Sequence, residues 1–241
     1  MYNVAIKSFL IYFSIFYSGL SFASSISLDI GQTETVFNRF AIPNTSADRV
    51  SLPTEDTLTS YRITGYFDLS SGNQIYVLIA PLETEYNFTS NRNFEFADNS
   101  YTSGTATNVK YKFNSYRLGY LWKWKTSSFD FWTGVVAKIR DADIEVRQGT
   151  RTSAFDNIGV VPLASIGFDL RLFKNLSVFS HTDALGASQG SAYDSQLELR
   201  LKLSSLFVSL GKRVLGGGAD NDDVYNFAQF DSLYTRLTYS Y

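Results

Sequence analysis

The chain holds one histidine, His181, in the segment NLSVFSHTDALG, and its neighbours are residues that could do chemistry. On an extended strand alternate residues share a face. Ser177, His181 and Asp183 would then line one face, with Ser180 pointing the other way, and Asp194 and Glu198 would lie on the next strand. A His with an acid and a hydroxyl in reach could act as a general base in ester hydrolysis. The plainer alternative is a structural His bonded to a carboxylate. A second group, Asp220, Asn221, Asp222 and Asp223, follows Gly216, Gly217 and Gly218. Clustered oxygens suit a hard cation such as Ca²⁺, but the calcium-loop spacing and its distal Glu are missing, so a solvated acidic turn is the default reading. No Lys-Ser/Thr pair follows the glycines, which excludes a phosphate loop. A third group, Asp141, Asp143 and Glu145, alternates along one face between Lys138, Arg140 and Arg147. A carboxylate pair there could serve glycoside chemistry. The chain has no cysteine, which removes thiolate metal sites, cysteine nucleophiles and disulfides. No cofactor is implied. The net charge of −2 argues against a basic nucleic-acid surface.

The elements that must position these residues follow a period of two. Between 193 and 203, Tyr193, Leu197, Leu199, Leu201 and Leu203 oppose Asp194, Gln196, Glu198, Arg200 and Lys202. Residues 158–172, 115–125 and 61–69 split the same way. Such alternation marks strands with one apolar and one polar face. Turn residues divide the chain into ten strands: 26–40, 58–70, 74–89, 107–126, 128–147, 157–173, 175–185, 192–203, 205–215 and 225–241. Connectors after the even-numbered strands are tight, and those after the odd-numbered strands are expected to be longer and polar. Most of these strands reach the length of about 9 to 11 residues that crosses a bilayer at a tilt. An even strand count with short turns at one end and longer loops at the other is the asymmetry of a closed antiparallel up-and-down transmembrane β-barrel. Aromatics gather near the tight-turn end: Phe67, Trp122, Trp124, Phe168, Tyr239 and Tyr241 are expected to form a lipid-facing girdle. In the 128–147 strand, Asp141, Asp143 and Glu145 have the parity of the apolar residues before them. The strand is therefore expected to leave the bilayer near Arg140, the alternative being a bulge that switches its phase.

The first 23 residues differ from the rest. Lys7 is their only charge, residues 9–17 (FLIYFSIFY) are almost wholly apolar, and Ser21-Phe22-Ala23 is a small-x-small cleavage site. This is the layout of a secretory signal peptide, which leaves residues 24–241 as the barrel domain.

The last strand, VYNFAQFDSLYTRLTYSY, ends on an aromatic with Tyr241, Tyr239, Leu237 and Leu233 on one face. It resembles the C-terminal signature of bacterial outer-membrane β-barrel proteins. That resemblance implies residence in the outer membrane of a Gram-negative cell. It also implies contact with outer-membrane lipid and lipopolysaccharide, and recognition by the barrel-assembly machinery through the last strand. Two enzyme groups within the class frame His181. The lipid A deacylases place a Ser two residues after their His, where this chain has Asp183. The omptin-type proteases use an Asp–His pair plus an Asp pair, and only a single His-x-Asp is present here.

If the apolar faces meet lipid, the opposite faces line the lumen with Arg62, Asp68, Arg117, Lys123, Asp169, Arg171, Asp194, Glu198, Arg200, Lys202, Arg213 and Arg236. Eight strands are filled by side chains and sixteen leave a channel, so ten strands with long charged side chains are expected to be largely filled. The functional expectation is a structural or surface-binding barrel. The alternatives are a narrow conduit for a small solute and a lipid A-modifying hydrolase centred on His181. Loop aromatics Phe94, Phe96 and Tyr101 are expected to meet external ligands.

Overall fold

A computed structural model of the chain describes residues 24–45, 48–54, 57–69 and 72–241. The expected signal peptide, residues 1–23, lies outside the described residues. The described chain is all-β: β1 (Ser24–Ala41), β2 (Val50–Ser51), β3 (Thr57–Asp68), β4 (Gln74–Ala80), β5 (Glu83–Thr89), β6 (Phe94–Phe96), β7 (Asn99–Tyr101), β8 (Ala106–Lys125), β9 (Phe129–Gln148), β10 (Arg151–Phe173), β11 (Leu176–Ala187), β12 (Gly190–Leu203), β13 (Leu206–Asp220) and β14 (Tyr225–Ser240). Ten antiparallel staves close on themselves: β1, β3, β4 continued by β5, and β8 through β14, with β14 returning to pair β1. The closing register puts Leu28 opposite Leu237 and Asp29 opposite Arg236. Closure pairs the staves on both edges through their lower part, the condition for placing strands in lipid, while higher up β5 pairs β8 alone.

Alternation decides which way each residue points. Leu118, Val135, Ile166, Leu199, Leu210 and Leu237 are exposed on the outside, while Arg117, Trp132, Ser165, Glu198, Arg213 and Arg236 are buried inside. Going up each stave from the tight turns, the outward positions change from apolar to polar. The change comes at Gln32 on β1, Thr59 on β3, Asn114 on β8, Asp141 on β9, Asp156 on β10, Lys212 on β13 and Asp231 on β14. Below that line the barrel wears an apolar belt. Above it the staves project into water.

β9 pairs β8 from Asp130 to Arg147 without a register shift, so Asp141, Asp143 and Glu145 stay on the outward face and no bulge switches the phase. They find cations instead: Lys112 Nζ is 2.9 Å from Asp141 and Arg147 Nη2 is 3.1 Å from Glu145. Because pairing continues in this way, the long connectors expected after the fifth and seventh staves are absent. β9 turns into β10 over Gly149 and Thr150, with Gly149 at φ +60°, and β11 turns into β12 over Ser188 and Gln189. The third stave, read as one strand, is interrupted at Pro81, which has no N–H for the ladder. Register is kept across the gap, since Leu82 N–H donates to Asn114 Oδ1 at 2.8 Å.

The longest loop does not reach outward. β6 and β7 form a hairpin that folds into the barrel mouth, where Phe94, Phe96 and Tyr101 are no more than 2% exposed. They pack with Phe40, Tyr86, Tyr111, Ile144 and Phe230 into an apolar plug. Tyr101 Oη donates to Ser153 Oγ at 2.8 Å. The expectation that these aromatics meet external ligands is therefore corrected. Three large rings gain more by burial in a roomy mouth than by exposure to water.

Candidate functional site

Below the apolar plug the lumen is crossed by a lattice of charges. Arg62 on β3 reaches over the lumen to Asp194 on β12 at 2.8 Å. Asp194 Oδ2 also receives Arg117 at 2.8 Å, and Arg117 holds Asp183 at 2.7 Å. Arg213 binds Asp29 closely and stands 3.9 Å from Asp194. Arg236 lies between Asp29 and Glu198, and Tyr234 Oη donates to Glu198 at 2.8 Å. Four guanidinium groups thus meet four carboxylates, and none of these side chains is more than 6% exposed. Ion pairs so far from water hold only when each charge is matched and hydrogen-bonded. The glycines opposite make room for the supports. A Cβ on Gly211 would stand 2.7 Å from Tyr234 Oη.

The other charged residues expected in the lumen sit nearer the tight-turn mouth. Arg200 bridges Glu198 at 2.9 Å and Asp169 at 3.4 Å. Asp130 takes Arg171 at 2.6 Å and Lys123 at 3.6 Å, Asp68 takes Lys125 at 2.9 Å, and Lys202 lies over the Phe207 ring. Asp29, at the centre of the lattice, was not singled out from the sequence. Its position between outward Leu28 and Ile30 is the signal that marks it.

His181 stands at the edge of this lattice, 1% exposed. Its Nε2 meets Asp183 Oδ1 at 2.9 Å and Ser165 Oγ at 3.3 Å. Its Nδ1 meets the Trp132 indole N–H at 3.1 Å. An indole nitrogen only donates, so Nδ1 is the acceptor and Nε2 carries the hydrogen given to Asp183. A Ser-His-acid relay needs the acid on one ring nitrogen and the nucleophile on the other. Here both share Nε2, and the basic nitrogen is capped by Trp132. Ser177 makes no hydrogen bond to His181, and Glu198 is committed to Arg200, Arg236 and Tyr234. Sequence reasoning missed Ser165 and Trp132. Gly167 is the trace they leave, since a Cβ there would be 2.4 Å from the indole.

The remaining candidates are not brought together. Asp220 accepts from Asn44 Nδ2 at 2.9 Å, and Asn221 Oδ1 caps the N–H groups of Asp223 and Val224. Among the described residues no group of three metal-ligating His, Cys, Asp or Glu side chains forms. At the tight-turn end Trp124 packs on Phe131 at 5.7 Å, Phe129 on Phe168 at 6.0 Å and Tyr239 on Tyr241 at 5.8 Å, and Phe67 covers Gly65.

No protein-family model matches the chain, and no curated protein matches its sequence. Among solved structures, the outer-membrane protease OmpT of Escherichia coli superposes with a TM-score of 0.58 over 93% of this chain and 99% of that one, at 8% identity. The fold is that of the bacterial outer-membrane β-barrels. The attachment invasion locus protein Ail of Yersinia pestis (TM-score 0.40, 8% identity, 91% and 99% coverage) and the toluene transporter TodX of P. putida (0.37, 6%, 91% and 90%) also match. For this outer-membrane-type barrel, identities so low speak to fold alone.

Proposed function

We propose that the chain is a non-conducting barrel of the bacterial outer membrane, a rigid platform that carries its projecting staves and packed loops at the cell surface. The carrying observation is the pair of closures in series: a charge lattice tied across the lumen from β3 and β8 to β11 and β12, under an apolar plug seated in the mouth. A conduit would need those charges to face a water path, and they are buried against one another. A hydrolase centred on His181 would need a free basic nitrogen, and Trp132 occupies it. The partners of this platform are outer-membrane lipid and lipopolysaccharide around the belt. The barrel-assembly machinery would engage β14, whose outward Leu233, Leu237 and Tyr239 are exposed.

The test is single-channel recording of the refolded barrel in planar bilayers, with folding verified by altered gel migration before boiling. The expected result is insertion without a stable open level. A steady large conductance would overturn the closed lumen.

A further inference from the structure

At 23 residues β10 is the longest stave, and its upper half has one neighbour. Between Arg151 and Leu163 it pairs with β9 alone, because the ladder to β11 ends at Ala164 opposite Ala184. The Arg171 N–H donates to the Ser128 carbonyl at 2.9 Å, on the β9 side. Backbone groups alternate sides along an antiparallel strand, and β9 and β10 keep one register from Arg151 to Leu170. Odd-numbered residues of β10 therefore bond β9, and even-numbered ones turn their N–H and C=O to the other edge. Pro162, which has no N–H to give, stands where the ladder to β11 stops, the place a sheet tolerates proline. Above it Thr152, Ala154, Asp156, Ile158 and Val160 present a row of backbone groups to a free edge. Natural edges are blunted by charge. β5, which pairs β8 alone, carries the exposed Glu83 and Glu85, whereas on this row of β10 only Asp156 is charged, and Ile158 and Val160 are 71% and 70% exposed. Asp156 also lacks a cation. It stands opposite Asp143 on β9, a like-charged pair that destabilises a sheet. Lys112 goes to Asp141 and Arg147 to Glu145, and Asp156 forms no ion pair among the described residues.

We propose that the free edge of β10, from Thr152 to Val160, is a docking edge for an extended peptide strand that carries a basic residue. The added strand continues the ladder that β11 leaves off, the mode of recognition by strand addition. Its backbone pairs with the even-numbered residues of β10. Its alternate side chains lie beside theirs, apolar next to Ile158 and Val160, and a Lys or Arg next to Asp156, where cross-strand neighbours meet at about 5 Å. β-Branched residues such as Ile158 and Val160 suit such a pairing surface. Val160 pairs with Ile139 and Ile158 with Asp141, so the row starts at the top of the belt and rises out of it, within reach of a partner in water. An acidic strand meets the Asp143 and Asp156 pair unfavourably, and a helix leaves the row of backbone groups unpaired.

The experiment is fluorescence anisotropy of the refolded barrel in detergent with a fluorescein-labelled peptide as long as the Thr152–Val160 edge. The peptide has Val at alternate positions, one central Lys in the Val series, and Thr elsewhere. The expected result is saturable binding. Ile158→Pro removes a donor from the free edge and leaves the bonds to β9, and it should weaken binding about tenfold. Asp156→Lys should weaken it about threefold and favour the same peptide with Glu in place of Lys. Amide exchange followed by NMR should find Asp156 and Ile158 fast and Asn157 and Gly159 slow in the barrel alone, with the first two slowed by the peptide. No binding by the parent, equal binding by Ile158→Pro, or slow exchange at Asp156 and Ile158 without peptide would overturn the docking edge. A parent that is dimeric, and monomeric as Ile158→Pro, would overturn it in favour of a second copy on the same edge. If Ile158→Pro does not fold, the charge swap at Asp156 and the exchange pattern decide. None of these readouts senses conductance, so their failure is separate from a failure of the closed lumen.

Discussion

Asp194 shows how much of the molecule depends on single inward residues. It is the carboxylate that Arg62 reaches and one of two that hold Arg117. Asp194→Asn keeps the volume and removes the charge, stranding Arg62 in the lumen. Removing one partner of a buried pair costs about 3–5 kcal/mol. Urea unfolding in lipid vesicles should show a loss of that size, whereas Lys212→Met, at an exposed pair with Asp231, should change stability by less than about 1 kcal/mol. A near-neutral Asp194→Asn would mean that water already solvates Arg62. At His181 the decisive observable is the tautomer. Nitrogen NMR of the folded barrel should find the ring hydrogen on Nε2, and Trp132→Phe should free Nδ1. A hydrogen on Nδ1 in the parent would reopen the general-base reading. The sequence showed that Ser177, His181 and Asp183 share a face, because parity along one strand is local. It could not show that Ser165 and Trp132 complete the cluster, because they come from β10 and β9 through a register that only the folded sheet fixes.

Among the elements, the β6–β7 hairpin and the upper ends of β10 and β13 differ most from the linear reading, β10 starting at Arg151 and β13 running to Asp220. Ten staves were legible because alternation and turn residues are written along the chain. The fate of the loop between β5 and β8 was not, because Phe94, Phe96 and Tyr101 meet partners contributed by distant strands. If the hairpin is a plug, Phe96→Ala opens a cavity and should cost about 3–5 kcal/mol in urea unfolding, while the barrel still migrates as folded. A loss below about 1 kcal/mol would mean that the hairpin does not seal the mouth. The projecting end of β9 makes a pH prediction. Burial at the rim raises the Asp143 carboxyl above its ordinary value, against the pull of Lys112. In the window above the ordinary value the folded state then holds more protons than the unfolded one, so this group's contribution falls as pH rises. Asp143→Asn should therefore stabilise the barrel at neutral pH, and the gain should vanish below about pH 4. A gain that persists in acid would assign it to something other than ionisation.

For the whole molecule, the mean hydropathy of −0.09 conceals two opposite faces. The outside is apolar up to the line where outward positions turn polar, and the inside is charged and buried. Those two properties together are the ones a bilayer asks of a barrel, because lipid demands the first and closure protects the second. Depth can be read by paired substitutions on one stave. Ile166 and Ile158 both face outward from β10, 52% and 71% exposed, but Ile166 lies within the belt and Ile158 sits at its upper edge beside Asp156. Ile166→Arg should cost about 2–4 kcal/mol in urea unfolding from vesicles, and Ile158→Arg about 0–1 kcal/mol, because the penalty for a cation on the lipid face falls from the midplane to the interface. A soluble barrel would show neither cost, since both side chains would already stand in water. Equal costs would mean that the bilayer reaches Asp156, and the acidic row on β9 would then have only Lys112 and Arg147 to hold it in lipid.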